Sequence, residues 1–137
     1  MKVVLDTNVL LSASIASGLC ADLLEESVRR HRLVTSEFIL NELFEKLRTK
    51  LDYPAGLARE AIALLQERMA VVQPAEIPRD VCRDAADAAV IGTAVAGRCR
   101  CLVSGDKDLL AVGRYRGILI LSPRQFWIRQ VRRTHRR

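Results

Sequence analysis

Short apolar runs, each long enough for one buried strand, alternate along this chain with longer stretches of helical periodicity, and two of those runs stop at an acid. Val3-Val4-Leu5 leads straight into Asp6; Leu102-Val103 leads through Ser104-Gly105 to Asp106, with Asp108 two residues on. Strands separated by helices argue for a parallel sheet with helices on both faces. In such sheets ligands bind in the crevice outside the carboxyl ends of the strands. A carboxylate there is costly to bury unless it binds something cationic. Two strands that each end in an acid can bring both carboxylates into one crevice, which reads most simply as a divalent-metal site.

The same alternation runs the length of the chain. A strand is expected at about residues 2–6 and a helix at 18–31, with Leu19, Leu23, Leu24 and Val28 along one side. Leu33-Val34-Thr35 reads as a strand, and Ser36 as the cap of a helix reaching residue 50 on an Ile39, Leu40, Leu43, Phe44 and Leu47 stripe. After Pro54 and Gly56 comes a helix with Leu57, Ala61, Leu64, Leu65 and Met69 aligned, then a Val71-Val72 strand and a loop at Pro74 and Pro78. An Ala-rich helix over 84–97, a strand at 101–103, a short helix from Asp106 to Val112, a strand at 118–121 and a last helix opened by Ser122-Pro123 complete the order. There is no internal repeat, low-complexity block or linker. One α/β domain is expected.

At 137 residues such a domain buries about 70% of the surface its unfolded chain exposes. No apolar run approaches the roughly 20 residues of a membrane helix. The amino terminus enters a strand without a basic n-region or cleavage site, which argues against secretion. Cys20, Cys82, Cys99 and Cys101 form no C-x-x-C pair and have no histidine at zinc spacing, so reduced thiols and a cytoplasmic location are expected. The net charge of +6 is uneven. No acid follows Asp108, while eight arginines do, so residues 1–108 hold fourteen of the 22 basic residues against all 16 acids, a balance of about −2. The RQVRRTHRR ending, with Arg132, Arg133, Arg136 and Arg137, is either a footprint for phosphates or a solvated tail; an acidic protein is another partner it would suit.

Two helices add acids to the two strand ends. Glu42 sits in the second turn of the 36–50 helix beside Leu43, within its apolar periodicity. Asp84 suits an N-cap, and Asp87, three residues later, shares a side with Ile91 and Ala94 and should turn towards the sheet. Asp6, Glu42, Asp87 and Asp106 thus come from four elements that could meet at one point. Mg²⁺ or Mn²⁺ prefers such oxygen donors. Packed carboxylates repel one another without cations. Two ions roughly 3.5–4 Å apart can clamp an in-line phosphoryl displacement. A polyanion entering an acidic cleft needs a basic rim, for which the arginine-rich end and Arg29, Arg30 and Arg32 are candidates.

The motifs DTNVLL at 6–11, SEFILNEL at 36–43, RDAADAAVIGTA at 83–94 and LVSGDKDLL at 102–110 resemble, in their order and spacing, the PIN-domain family, and within it the VapC-like toxins of prokaryotic toxin–antitoxin pairs. The resemblance covers essentially the whole chain. It implies a PIN-like nuclease domain over residues 1–128, with a five-stranded parallel sheet flanked by helices, and a basic tail over 129–137. It further implies an endoribonuclease dependent on one or two Mg²⁺ or Mn²⁺ ions, with Asp6, Glu42, Asp87 and Asp106 as metal-ligating and catalytic acids. By the same resemblance Asn8 would orient the Asp6 loop, Ser104 would stand beside the metal site, and Asp108 would be an auxiliary acid, although an acid at a helix start is also a common cap. The implied partners are an RNA substrate, a cognate antitoxin that wraps the cleft, and a second copy in a homodimer. Two positions depart from the family pattern: Ala85 replaces a frequent proline and Ala88 a polar residue.

Other chemistries lack their residues. His31 lies at a basic helix end and His135 in the basic tail, which argues against histidine general-base catalysis; no serine stands in a G-x-S-x-G elbow, and there is no phosphate-cradling glycine loop. An aspartyl phosphatase would place a second acid where Asn8 stands. The alternative from another class is a PIN module that binds RNA or protein without turnover.

Overall fold

The computed structural model describes residues 1–15 and 18–135, the last three of these, 133–135, in backbone only. Among the described residues, six strands and seven helices follow one another as β1 (Lys2–Leu5), α1 (Thr7–Ala13), α2 (Leu19–Arg30), β2 (Arg32–Thr35), α3 (Glu37–Thr49), α4 (Ala55–Gln66), β3 (Met69–Val71), α5 (Ala85–Ala96), β4 (Cys101–Val103), α6 (Lys107–Val112), β5 (Arg114–Tyr115), β6 (Ile118–Leu121) and α7 (Pro123–His135). The sheet order is β3-β2-β1-β4-β6-β5. The five expected strands are present and mutually parallel.

The sixth, β5, is antiparallel to β6. It turns back through Arg116 and Gly117, both at positive φ, the backbone a two-residue hairpin turn requires. A strand of two residues shows no alternation, so periodicity cannot reveal it. Helix α1 is the other addition, in a stretch to which periodicity assigns no element: the Asp6 carboxylate accepts the Thr7 N–H and starts a helix at once. Strand β3 begins two residues earlier than Val71-Val72 suggests, because its ladder aligns Met69 with Leu33 and Val71 with Thr35.

Val3, Val4 and Leu5 are all buried, as a central strand covered on both faces demands. Helix α5 packs across β1, β2 and β4, whereas α2 lies on β2 and against α7, which returns along β6. In α3, Ser36 accepts the Ile39 N–H as N-cap, and Ile39, Leu40, Leu43 and Leu47 are buried in the core, as their spacing predicts. Each fully buried aliphatic side chain contributes roughly 1.5–3 kcal/mol relative to exposure.

Helix α5 is built of small residues because another stretch of chain crosses it. Ala75 donates its N–H to the Gly92 carbonyl at 3.0 Å, and a Cβ on Gly92 would lie 2.2 Å from the Ala75 carbonyl oxygen. Backbone on both sides leaves no flexible group to give way. Gly92→Ala is therefore expected to lose about 1–3 kcal/mol by overpacking, despite alanine's better helix propensity, and a chemical denaturation curve checks it. An unchanged midpoint would show that the 74–75 crossing moves aside freely.

Candidate active site

The strand order reverses between β1 and β4, since the chain leaves β1 for β2 on one side and reaches β4 on the other. The carboxyl ends of these two central strands therefore form the crevice of the sheet. Asp6 follows β1 and continues its ladder, donating its N–H to the Val103 carbonyl at 2.9 Å. Its side chain is buried. One carboxylate oxygen accepts from the Thr7 N–H at 2.7 Å and the other from the Ser104 hydroxyl at 2.7 Å. Burial nevertheless raises the Asp6 carboxyl above its ordinary value; those two hydrogen bonds oppose the shift, and the charges of Glu42 and Asp106 add to it.

Ser104 links the two strand ends, because its Oγ also accepts the Asp106 N–H at 3.0 Å. Asp106 caps α6, with Oδ1 accepting the N–H groups of Asp108 and Leu109 at 2.8 and 3.2 Å. Asp84 caps α5 in the same way, accepting from Ala86 and Asp87. That cap sets the first turn of α5 so that Asp87 points at the strand ends. Carboxylate oxygens of Asp87, Asp106 and Asp108 all lie within 4.8 Å of one another. Asp6 and Glu42 stand outside this tight trio. Glu42 is half-buried on α3 and accepts from the Thr7 hydroxyl at 2.8 Å, so Thr7 ties it to the Asp6 turn. Thr7 lies inside the DTN motif, yet only the α1 geometry shows that it reaches across to Glu42.

No ion pair to any of these five acids is found among the described residues. At this spacing, pairs of full charges repel by between about 1 and 4 kcal/mol, from water-like to surface-like dielectric. The consequence falls on Asp87, whose pKa is raised to about 6, first by burial and then by the charges of Asp106, Asp84, Asp6 and Asp108. Three convergent oxygen donors, with no thiol or imidazole among them and no ion pair to them among the described residues, fit a hard divalent cation such as Mg²⁺ or Mn²⁺.

The remaining candidates are placed differently. Asn8 is exposed and accepts from Lys46 Nζ at 2.9 Å, while the bonds that brace Asp6 come from Thr7 and Ser104. Lys46, one turn beyond Glu42 on α3, is thereby a cation near the acids that no motif singles out. The suggested basic rim is elsewhere. Arg29 and Arg30 end α2 and Arg32 opens β2, at the amino ends of the strands. Helix α7 runs back from the carboxyl end of β6, so Gln130 meets His31 beside them. Arg132 is exposed on this returning helix, which carries the chain across the 128/129 junction without a break. The side chain of Arg133, and all of Arg136 and Arg137, lie outside the described residues.

Solved structures repeat this architecture at low sequence identity. VapBC2 from Rickettsia felis, bound to a DNA fragment from its promoter, is similar with a TM-score of 0.61 at 12% identity, over 89% of this chain and 98% of that one. VapBC-1 from nontypeable Haemophilus influenzae gives 0.63 at 17%, over 90% and 99%. PAE2754 from Pyrobaculum aerophilum gives 0.62 at 17%, over 96% and 90%. No curated protein matches in sequence. The model of the PIN domain matches residues 2–108, from the first strand to Asp108 and through every acid of the crevice. With that match over most of its length, the chain belongs to the PIN-domain family.

Proposed function

We propose that this protein is a divalent-metal-dependent endoribonuclease, the VapC-like toxin of a toxin–antitoxin pair. The observation that carries the reading is the convergence of Asp87, Asp106 and Asp108 beside Asp6 and Glu42 with no ion pair to any of them among the described residues. A structural cluster would pair its acids with bases, because packed like charges repel one another. Asp106, Asp87 and Asp108 would hold Mg²⁺ or Mn²⁺, with Asp6 and Glu42 completing the acidic wall. The ion, when bound, supplies a more acidic water and positive charge opposite the leaving oxygen of a phosphodiester.

The chain's own residues prepare that chemistry. Ser104 and Thr7 fix both oxygens of Asp6, so the carboxylate is oriented before any ligand arrives. Asp106 spends Oδ1 on its cap, which orients its other oxygen. Asp87, raised to about 6 while no cation is bound, carries a proton that a divalent ion would displace close to neutral pH. Lys46, held by Asn8, offers a positive charge to a strand entering from the α1–α3 side.

The solved VapBC structures are toxin–antitoxin complexes, which supports an antitoxin as partner here. Such a segment would cover the cleft and the amphipathic α2 and α3, with a basic side chain meeting the acids. A homodimer through helices belongs to the same reading, and Leu57 and Leu64, exposed on α4, are apolar surface for it to bury. The test is incubation of a total RNA pool with purified, partner-free protein in Mg²⁺ or Mn²⁺ and in chelator. Defined fragments that vanish with chelator are expected. Folded protein that yields none under either ion would favour a PIN module that binds without turnover.

A further inference from the structure

Opposite the acidic crevice, a group of bases gathers at the amino end of the sheet. A cavity of about 730 Å³ opens at the amino ends of the strands between α7 and the sheet. Arg100 stands just before β4, Arg114 in β5, and Arg129 and Arg132 on α7, and all four line it. Its floor includes Leu119, Leu121 and Cys101, whose thiol burial pushes up to about 12, so the floor carries no negative charge. A second cavity of about 410 Å³ at the same end is lined by Lys2, Arg32 and Arg98. Neither lining includes an Asp or Glu, and none of these seven cations forms an ion pair among the described residues.

We infer that the amino end of the sheet is a second RNA-binding surface, separate from the acidic cleft, on which phosphates of a single strand are held by guanidinium groups. This deepens the nuclease reading by naming where the substrate is gripped, yet it stands on its own geometry. Two guanidiniums suffice for one phosphate, but seven cations spread over two cavities at the same end of the sheet match a polymer of charges. Planar Arg forks pair with phosphate oxygens in two-point geometry. Apolar Leu119 and Leu121 between them offer a surface for a base or ribose. The acidic crevice repels a polyanion, so an anchor on the far side is where positive charge can act without neutralising the cleft. The two ends are at least about 13 Å apart along four strand residues, which RNA spans in about four nucleotides of helical rise.

The test is the salt dependence of binding, measured in chelator so that nothing is cleaved. A labelled oligouridylate of about twelve nucleotides is titrated with the full chain and with an Arg100→Gln/Arg129→Gln variant. Each phosphate contact contributes about 0.7 to the slope of log K against log salt. The double variant should lower that slope by about 1.4 and weaken binding about 25-fold at 0.1 M salt. The charge-preserving Arg100→Lys/Arg129→Lys variant should keep most of the slope, which separates lost charge from lost fold. An unchanged slope in the Gln variant would overturn the inference. So would polyglutamate of equal charge binding as tightly as the RNA, since that marks a site for an acidic protein segment. Because the readout needs neither metal nor turnover, a negative cleavage assay leaves it intact, and its own failure leaves the cleft reading intact.

Discussion

Asp106→Asn is expected to reduce metal-dependent RNA cleavage about a thousandfold, close to 4 kcal/mol of barrier, while the protein stays folded. The substitution separates two tasks of one side chain. As the cap of α6, Asp106 accepts two backbone N–H groups through Oδ1, and asparagine caps a helix about as well as aspartate. As a member of the Asp87–Asp106–Asp108 trio it offers a negative oxygen, which an amide does not replace as a ligand to a hard cation. Loss of one ligand from a three-carboxylate site removes several kcal/mol of charge stabilisation. Asp84→Asn is the matched control. Asp84 caps α5 by the same geometry but lies outside the trio, so this variant should cleave within severalfold of the parent. RNA cleavage rates of both variants, with melting curves to confirm folding, give the answer. Equal activity of Asp106→Asn and the parent would remove Asp106 from the site, and equal losses in both variants would assign the effect to helix capping.

Where a residue's role follows from its local element, the sequence already displays it. The apolar triplet before Asp6, the Ser36 cap with its Ile39–Leu47 stripe, and Asp84 three residues ahead of Asp87 each specify an element and the direction of an acid within it. Those elements formed as expected, and the parallel topology brings their carboxylates to the β1–β4 crevice because both strands end there. What periodicity could not carry was the link between elements. Thr7 has no assigned role until α1 turns its hydroxyl onto Glu42, 35 residues away. Ser104 gains its role only when β4 lies beside β1, so that one hydroxyl joins Asp6 to the Asp106 backbone. Ranking within the acids depended on distances too, which set Asp108 in the tight trio and left Glu42 outside.

Charge was legible as a quantity but not as a direction. Eight arginines after Asp108 announce a basic segment, and a basic rim on the acidic cleft is the natural place for it in one dimension. The fold reverses that placement. Helix α7 starts at the carboxyl end of β6 and travels back, so at about 1.5 Å per residue Arg129 and Arg132 end beside Arg100 and Arg114. A strand of four residues and the helix that follows it decide which face of the molecule is positive, and neither appears in a charge count.

Removing the Asp87 carboxylate should stabilise the metal-free protein and abolish its stabilisation by metal. Its folded-state pKa of about 6 lies above the ordinary aspartate value of 3.8, so the folded protein binds this proton more tightly than the unfolded chain does. Stability from that proton is complete below about pH 3.8 and is lost as pH rises through about 6. At pH 7.5 the ionised group is therefore a liability, of order 1 kcal/mol once solvent screening of a half-buried side chain is allowed for. Asp87→Asn carries no such charge. Its metal-free melting temperature should exceed the parent's by a few degrees at pH 7.5, and the difference should close towards pH 4. Mg²⁺ reverses the order, because an ion that binds only the folded state stabilises it by about 2.7 kcal/mol at a hundred times its dissociation constant. The parent should gain that amount at pH 7.5 and progressively less below pH 6, where the ion competes with the proton on Asp87; the variant should gain little at any pH. Melting curves with and without MgCl₂ at three pH values contain the whole test. A variant less stable than the parent in the absence of metal would mean that the Asp87 carboxylate serves the fold. A strained, repulsive acid that becomes an asset only with its cation is what a metal-ligating role predicts.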